Sequence, residues 1–180
     1  MRFSFLLPLL LLAACTHAPT RESVTDVCAG VDWWEAGRAA GSTGAVRANA
    51  EKEAGQRCAG TAHPLAKDLF ENGFEAGLVE YCTPSQGLAT GRSGLNYNKS
   101  CPAYLEPEFV KQFEIGSRIH SLEIEHSDLS QRIETLELLL KKSTTGTALK
   151  AQIDELETKR LALDVELGRL EAAQPNSFVR

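Results

Sequence analysis

The chain has 180 residues and a formal net charge of −5, with no cluster of lysine or arginine. That balance argues against a nucleic-acid partner, whose phosphates need a basic face. The length suits one domain with a modest core or a small domain plus an extended element. After residue 12 no stretch is apolar enough to cross a bilayer.

The N-terminus reads as an export signal. Met1-Arg2 supplies a short positive region, and the apolar run Phe3 to Leu12 is too short for a mature span, which needs roughly 20 residues. Leu12-Ala13-Ala14-Cys15 resembles a bacterial lipobox. The resemblance implies cleavage before Cys15 and acylation, with palmitate among the chains, of its thiol and new amino group; the plainer alternative is a signal cut after Ala14 that leaves a free thiol. Several acyl chains would anchor firmly, since each buried methylene contributes roughly 0.8 kcal/mol. Thr16 follows in place of Asp. By resemblance to enteric lipoproteins this directs the anchor to the outer membrane, facing the periplasm. Residues 1–14 are then the signal, and 15–27, with the polar stretch "THAPTRES", a lipidated tether.

Cys28, Cys58, Cys82 and Cys101 remain, an even set that in an exported chain suggests two disulfides. No Cys-x-x-Cys pair favours zinc. Four cysteines permit three connectivities. Cys28–Cys58 with Cys82–Cys101 is the pairing in which each bridge closes its own segment.

Residues 28–106 read as a small helical domain with a Gly-rich loop. Asp32 suits an N-cap, with Glu35 three residues on completing a capping-box pair. A further helix is expected from about Pro64 to Tyr81, with a turn around Gly60 before it. Trp34-Glu35-Ala36-Gly37 matches Phe70-Glu71-Asn72-Gly73, Phe113-Glu114-Ile115-Gly116 repeats the spacing, and Gly41 and Gly77 follow the first two pairs. Glycines at i and i+4 clear one helix face for another backbone; close packing explains them better than a ligand does. Residues 83–104 have the composition of a loop, and Gly91-Arg92-Ser93-Gly94, without a following Lys-Ser/Thr, reads as a turn.

The order Cys28, Trp34-x-x-Gly37-x-x-x-Gly41, Cys58, Asp68, Phe70-x-x-Gly73-x-x-x-Gly77, Tyr81-Cys82, Gly87, Gly91, Gly94, Tyr97, Cys101-Pro102, Phe113-x-x-Gly116 resembles a bacterial lipoprotein family known as domain of unknown function 2799, over residues 28 to 120. Phe70 and Phe113 stand where that pattern has tyrosine. The resemblance implies an exported lipoprotein with paired cysteines and carries over no catalytic residue.

Residues 107–174 carry heptad periodicity, ahead of a short tail at 175–180. Ile115, Ile119, Leu122, His126, Leu129, Ile133, Leu136 and Leu140 alternate spacings of four and three, as do Leu149, Ile153, Leu156, Arg160, Leu163, Leu167 and Leu170. "KSTTGT" between them suits a turn. The two seams fold into an antiparallel coiled-coil hairpin in which Leu136 meets Ile153, Ile133 meets Leu156, Leu129 meets Arg160 and His126 meets Leu163. The fold class is thus mainly α. His126 and Arg160 interrupt the seam as a register-setting polar layer or, on the sharper reading, as a pH switch. Ile124, Leu138 and Val165 occupy outward positions with Leu139 beside Leu138, which marks them as candidate contacts for a protein partner or for self-association.

No Gly-x-Ser-x-Gly, His-Glu-x-x-His or cofactor motif is present, so no catalytic residue, metal or cofactor is assigned. His63 with Asp68 is the nearest base and orienter, but His63 more simply precedes the helix at Pro64. His17 lies in the tether. Carboxylates beside aromatics, as in Glu80-Tyr81 and Asp32-Trp33-Trp34-Glu35, also occur in glycan sites, though caps and core rings explain them equally well. Two functions stand: an adaptor lipoprotein that presents the hairpin to an envelope protein, and a peptidoglycan- or glycan-binding module or enzyme using Trp33, Trp34, Tyr97 and the Gly-rich loop.

Overall fold

The computed structural model describes residues 27–144 and 146–174. The segment read as an export signal (1–14), Cys15, His17 and the tail at 175–180 lie outside them. Among the described residues every regular element is helical. After a helical turn at 27–29 come α1 (Trp33–Gly41), α2 (Arg47–Arg57), α3 (Lys67–Tyr81), α4 (Pro84–Arg92), α5 (Glu106–Lys142) and α6 (Thr147–Ala172).

Glycine decides how the first part packs. A methyl group on Gly37 would overlap the Phe70 carbonyl, and one on Gly73 would overlap that of Trp34; Gly41 faces the Phe74 carbonyl and Gly77 that of Arg38. The contacts climb both helices in the same direction, so α1 and α3 run parallel with their backbones touching. Each interior glycine costs about 1 kcal/mol of helix propensity relative to alanine. Cα–H···O contacts of about 0.5–1 kcal/mol each offset part of this. The rest comes from burying Trp33, Phe70, Phe74 and Leu78 around the crossing.

The arrangement then recurs. Gly87 faces the Phe109 carbonyl, Gly91 that of Phe113, and Gly116 that of Leu88, so α4 and α5 form a second parallel pair. Even the helix ends correspond. Gly44 and Gly94, both at φ +69°, close α1 and α4 and lie against the rings of Tyr81 and His120. This corrects two sequence expectations. Residues 83–104 are not one loop, because Thr83 caps α4 by accepting from the Gln86 N–H at 3.3 Å and Pro84 opens its first turn. Phe113 corresponds to Phe74 rather than Phe70, one turn away from the match drawn on spacing alone.

Two parallel helices need a crossover between them, and each crossover here is tied by a disulfide. Cys28, before α1, bonds Cys58 ahead of α3 with Cα atoms 5.9 Å apart. Cys82, before α4, bonds Cys101 ahead of α5 at 5.6 Å. Each bridge therefore joins the lower ends of one pair. The halves meet where Tyr81 packs on Phe109, centroids 5.1 Å apart.

Smaller differences concern helix starts. Asp32 accepts from the Glu35 N–H at 3.0 Å, but the Glu35 side chain turns to Arg38 instead of back to Asp32, so only half of the capping box forms. The third helix begins at Lys67, three residues after Pro64, with Leu65 drawn in against Gly55 and the core.

α5 is a single helix of 37 residues that runs from the second pair into the hairpin. Leu129, Ile133, Ile153 and Leu156 are buried between α5 and α6, with Leu136, Leu140 and Leu163 packed on them. α6, at 26 residues, extends about 39 Å. At its base Arg92 bonds Glu123 at 2.6 Å and Glu171 at 3.0 Å, which joins α4, α5 and α6. His126 Nε2 lies 3.1 Å from Asp164 Oδ1, and Arg160 is half-buried. Replacing His126 and Arg160 together with leucine should raise stability by about 1–2 kcal/mol, since a fully buried leucine contributes about 1.5–3 and these sites are half-covered. A urea midpoint that falls would instead make the polar layer a stabilising one.

Candidate functional site

The hairpin carries several large hydrophobic side chains in water. Ile124, Leu138, Leu139 and Val165 are all at least 50% exposed, as is Leu161 at 64%. Leu161 lies one turn before Val165, and that i, i+4 spacing sets it on the same outward face. These residues do not form one patch. Ile124 and Leu138 point away from α6, whereas Leu161 and Val165 point away from α5. The hairpin thus offers two opposite faces on its helices, each with large apolar side chains in water.

The segment between α4 and α5 is held differently. The Tyr97 ring packs on Phe109 and Phe113, centroids 4.8 and 6.0 Å away. Its hydroxyl donates to Glu106 Oε1 at 2.9 Å and accepts from the Cys101 N–H at 3.0 Å. Burial pushes the phenol up to about 12; the Cys101 N–H pulls the other way, and the Glu106 carboxylate adds to the rise. Ionisation is disfavoured in the fold, so the stabilisation is intact below pH 10 and is lost as pH climbs toward about 12. Among the three tyrosines, one is expected to titrate near 12 by tyrosinate absorbance, and Tyr97→Phe should remove that step. Beside Tyr97 a shallow groove of about 630 Å³ runs past Lys99, Pro107, Val110, Phe113 and Glu114.

The residues considered for glycan binding or catalysis are dispersed. Trp33 is 7% exposed within the core, Trp34 is 40% exposed, and neither lines the groove at Tyr97. Asp32 caps α1. Glu80 takes two hydrogen bonds of 2.8–2.9 Å from Arg38. His63 is exposed in the turn before α3, where its N–H donates to Thr61 Oγ1 at 3.2 Å, and Asp68 occupies the first turn of α3. Among the described residues no three His, Cys, Asp or Glu side chains gather as a metal site, and no helix is long and apolar enough to cross a membrane.

Residues 32–118 match the model of a family described as "Protein of unknown function (DUF2799)". No curated protein and no solved structure matches the chain. The matched span covers both glycine-packed pairs and stops within α5 two residues after Gly116, before the layers of the hairpin.

Proposed function

Because this chain belongs to the DUF2799 family, whose description assigns no activity, we propose that it is a lipid-anchored envelope protein that presents its helical hairpin to a protein partner. Cys15 is the lipid attachment point and the outer membrane, facing the periplasm, the location; two disulfides suit that oxidising compartment. The observation that carries the reading is α5 itself. One unbroken helix leaves a core clipped by disulfides and ends, 37 residues on, beside exposed Leu138 and Leu139. A rigid stalk with apolar side chains near its turn is suited to docking a partner at a set distance from the anchor. A photo-crosslinker placed at Leu138 in cells should yield discrete protein adducts. Binding to isolated peptidoglycan sacculi with no protein adduct would favour the glycan reading instead. Cys15→Ser should release the chain from the membrane fraction.

A further inference from the structure

We infer that a second copy of this chain covers the outer face of α6, pairing α6 with α6 in antiparallel fashion about a two-fold axis level with residue 163. The face runs through Leu161, Val165, Gly168 and Ala172, at helical spacings of four, three and four. Leu161 and Val165 are 64% and 68% exposed. Gly37, Gly41, Gly73, Gly77, Gly87, Gly91 and Gly116 each abut backbone of a neighbouring helix, whereas Gly168 faces nothing within 4 Å. A glycine in a helix interior costs about 1 kcal/mol, and of the helical glycines only Gly168 and Gly55, which meets the Leu65 side chain at 3.8 Å, lack the backbone of a neighbouring helix.

The face is complementary to itself. With Leu161 set against Val165 of the second copy, Thr158 falls against Gly168 and Asp154 against Ala172, so the large apolar pairs sit at the centre with smaller side chains in the layers beyond. Ala162, exposed and small, lies beside its own copy on one flank, next to the axis. The charges agree on one flank. Arg169 makes no ion pair among the described residues, and the same register brings it beside Glu155 of the second copy, twice by symmetry. Glu155 is held within its own chain by Lys159 at 2.6 Å alone and is largely exposed, so it can take a second cation. On the other flank Asp164 meets its own copy and Glu171 meets Glu157, while each keeps a contact within its own chain, Asp164 to His126 and Glu171 to Arg92.

This pairing uses α6, whereas the partner contact proposed above is tested at Leu138 on α5, so either can fail without the other. The test uses the Cys15→Ser chain, free of lipid. Sedimentation velocity should show the mass rising toward two chains with concentration, and Val165→Glu should abolish the rise while leaving the helical circular dichroism unchanged. Ala162→Cys, next to the axis, should form a chain-to-chain disulfide about tenfold faster than Thr135→Cys on exposed α5, through its higher effective concentration. A single-chain mass at about 1 mM, where even a millimolar affinity would populate the pair, or equal crosslinking rates at the two cysteines, would overturn the inference.

Discussion

Gly73→Ala should lower stability by about 2–4 kcal/mol, although alanine is the better helix former by about 1 kcal/mol. The added methyl would overlap the Trp34 carbonyl oxygen, lie 2.7 Å from its carbon and 3.0 Å from the Arg38 nitrogen. All three are backbone atoms of α1, so no side chain can rotate away and the helices must separate. Separation is shared along the pair: the contacts at Gly37, Gly41 and Gly77 lengthen as well, and the cover over Phe70 and Phe74 thins. Gly55→Ala is the matched control. Its nearest neighbour is the Leu65 Cδ2 at 3.8 Å, an ordinary contact, so the same substitution should there raise stability by about 0.5–1 kcal/mol. Urea unfolding of both variants reads the two signs. If Gly73→Ala stabilises as well, the backbones of α1 and α3 are not in contact.

Parallel pairing also explains which parts of the fold can be read from sequence. The hairpin is legible because Leu129, Ile133, Ile153 and Leu156 announce their burial through spacing, and a local period is all that an antiparallel pair with a short turn requires. α1 is legible through Asp32. α4 is not, because its residues have two meanings. Pro84, Gly87 and Gly91 are what a loop contains, and they are also what a helix needs when its first turn opens on proline and its flank must admit the backbone of α5. Propensity weighs residues singly; here contact with α5 outweighs it. The repeat itself was visible. Gly37-x-Ala39-x-Gly41-x-x-Gly44 and Gly87-x-Ala89-x-Gly91-x-x-Gly94 share all four positions, and Phe70-x-x-x-Phe74-Glu75-x-Gly77 recurs as Phe109-x-x-x-Phe113-Glu114-x-Gly116. The shorter aromatic-glycine unit, taken alone, sets the match one turn out of place. The candidate site divides the same way. Outward heptad positions revealed Ile124, Leu138 and Val165, whereas the role of Tyr97 depends on partners supplied by Glu106 and Cys101, which no local pattern predicts.

Replacing Cys82 and Cys101 together with serine should cost about 3 kcal/mol, and replacing Cys28 and Cys58 together a little more, on the chain-entropy view of disulfides. The bridges span 19 and 30 residues, and because the entropy grows only with the logarithm of loop length, the two losses should differ by less than about 1 kcal/mol. Their local consequences should differ more. α2 buries none of its residues fully and has no side-chain cap; apart from Cys58 it is held by the small side chains of Ala50 and Ala54 against the core, by Arg47 over the Phe74 ring at 5.0 Å, and by surface ion pairs such as Arg47–Glu75 and Lys67–Glu51, which contribute little each. Without the first bridge, α2 should therefore lose amide protection while α1 and α3 stay paired through their glycines. Without the second, Tyr97 still stacks on Phe109 and Phe113, so the segment before α5 should retain part of its order. Amide exchange of the two double-serine variants separates these outcomes. Equal loss of protection in both crossovers would mean that the disulfides, and not the aromatic stack, hold residues 93–105 in place. Removing both bridges should cost about 6–7 kcal/mol, comparable with the whole stability of many domains at about 5–15 kcal/mol, and should leave the two parallel pairs largely unfolded.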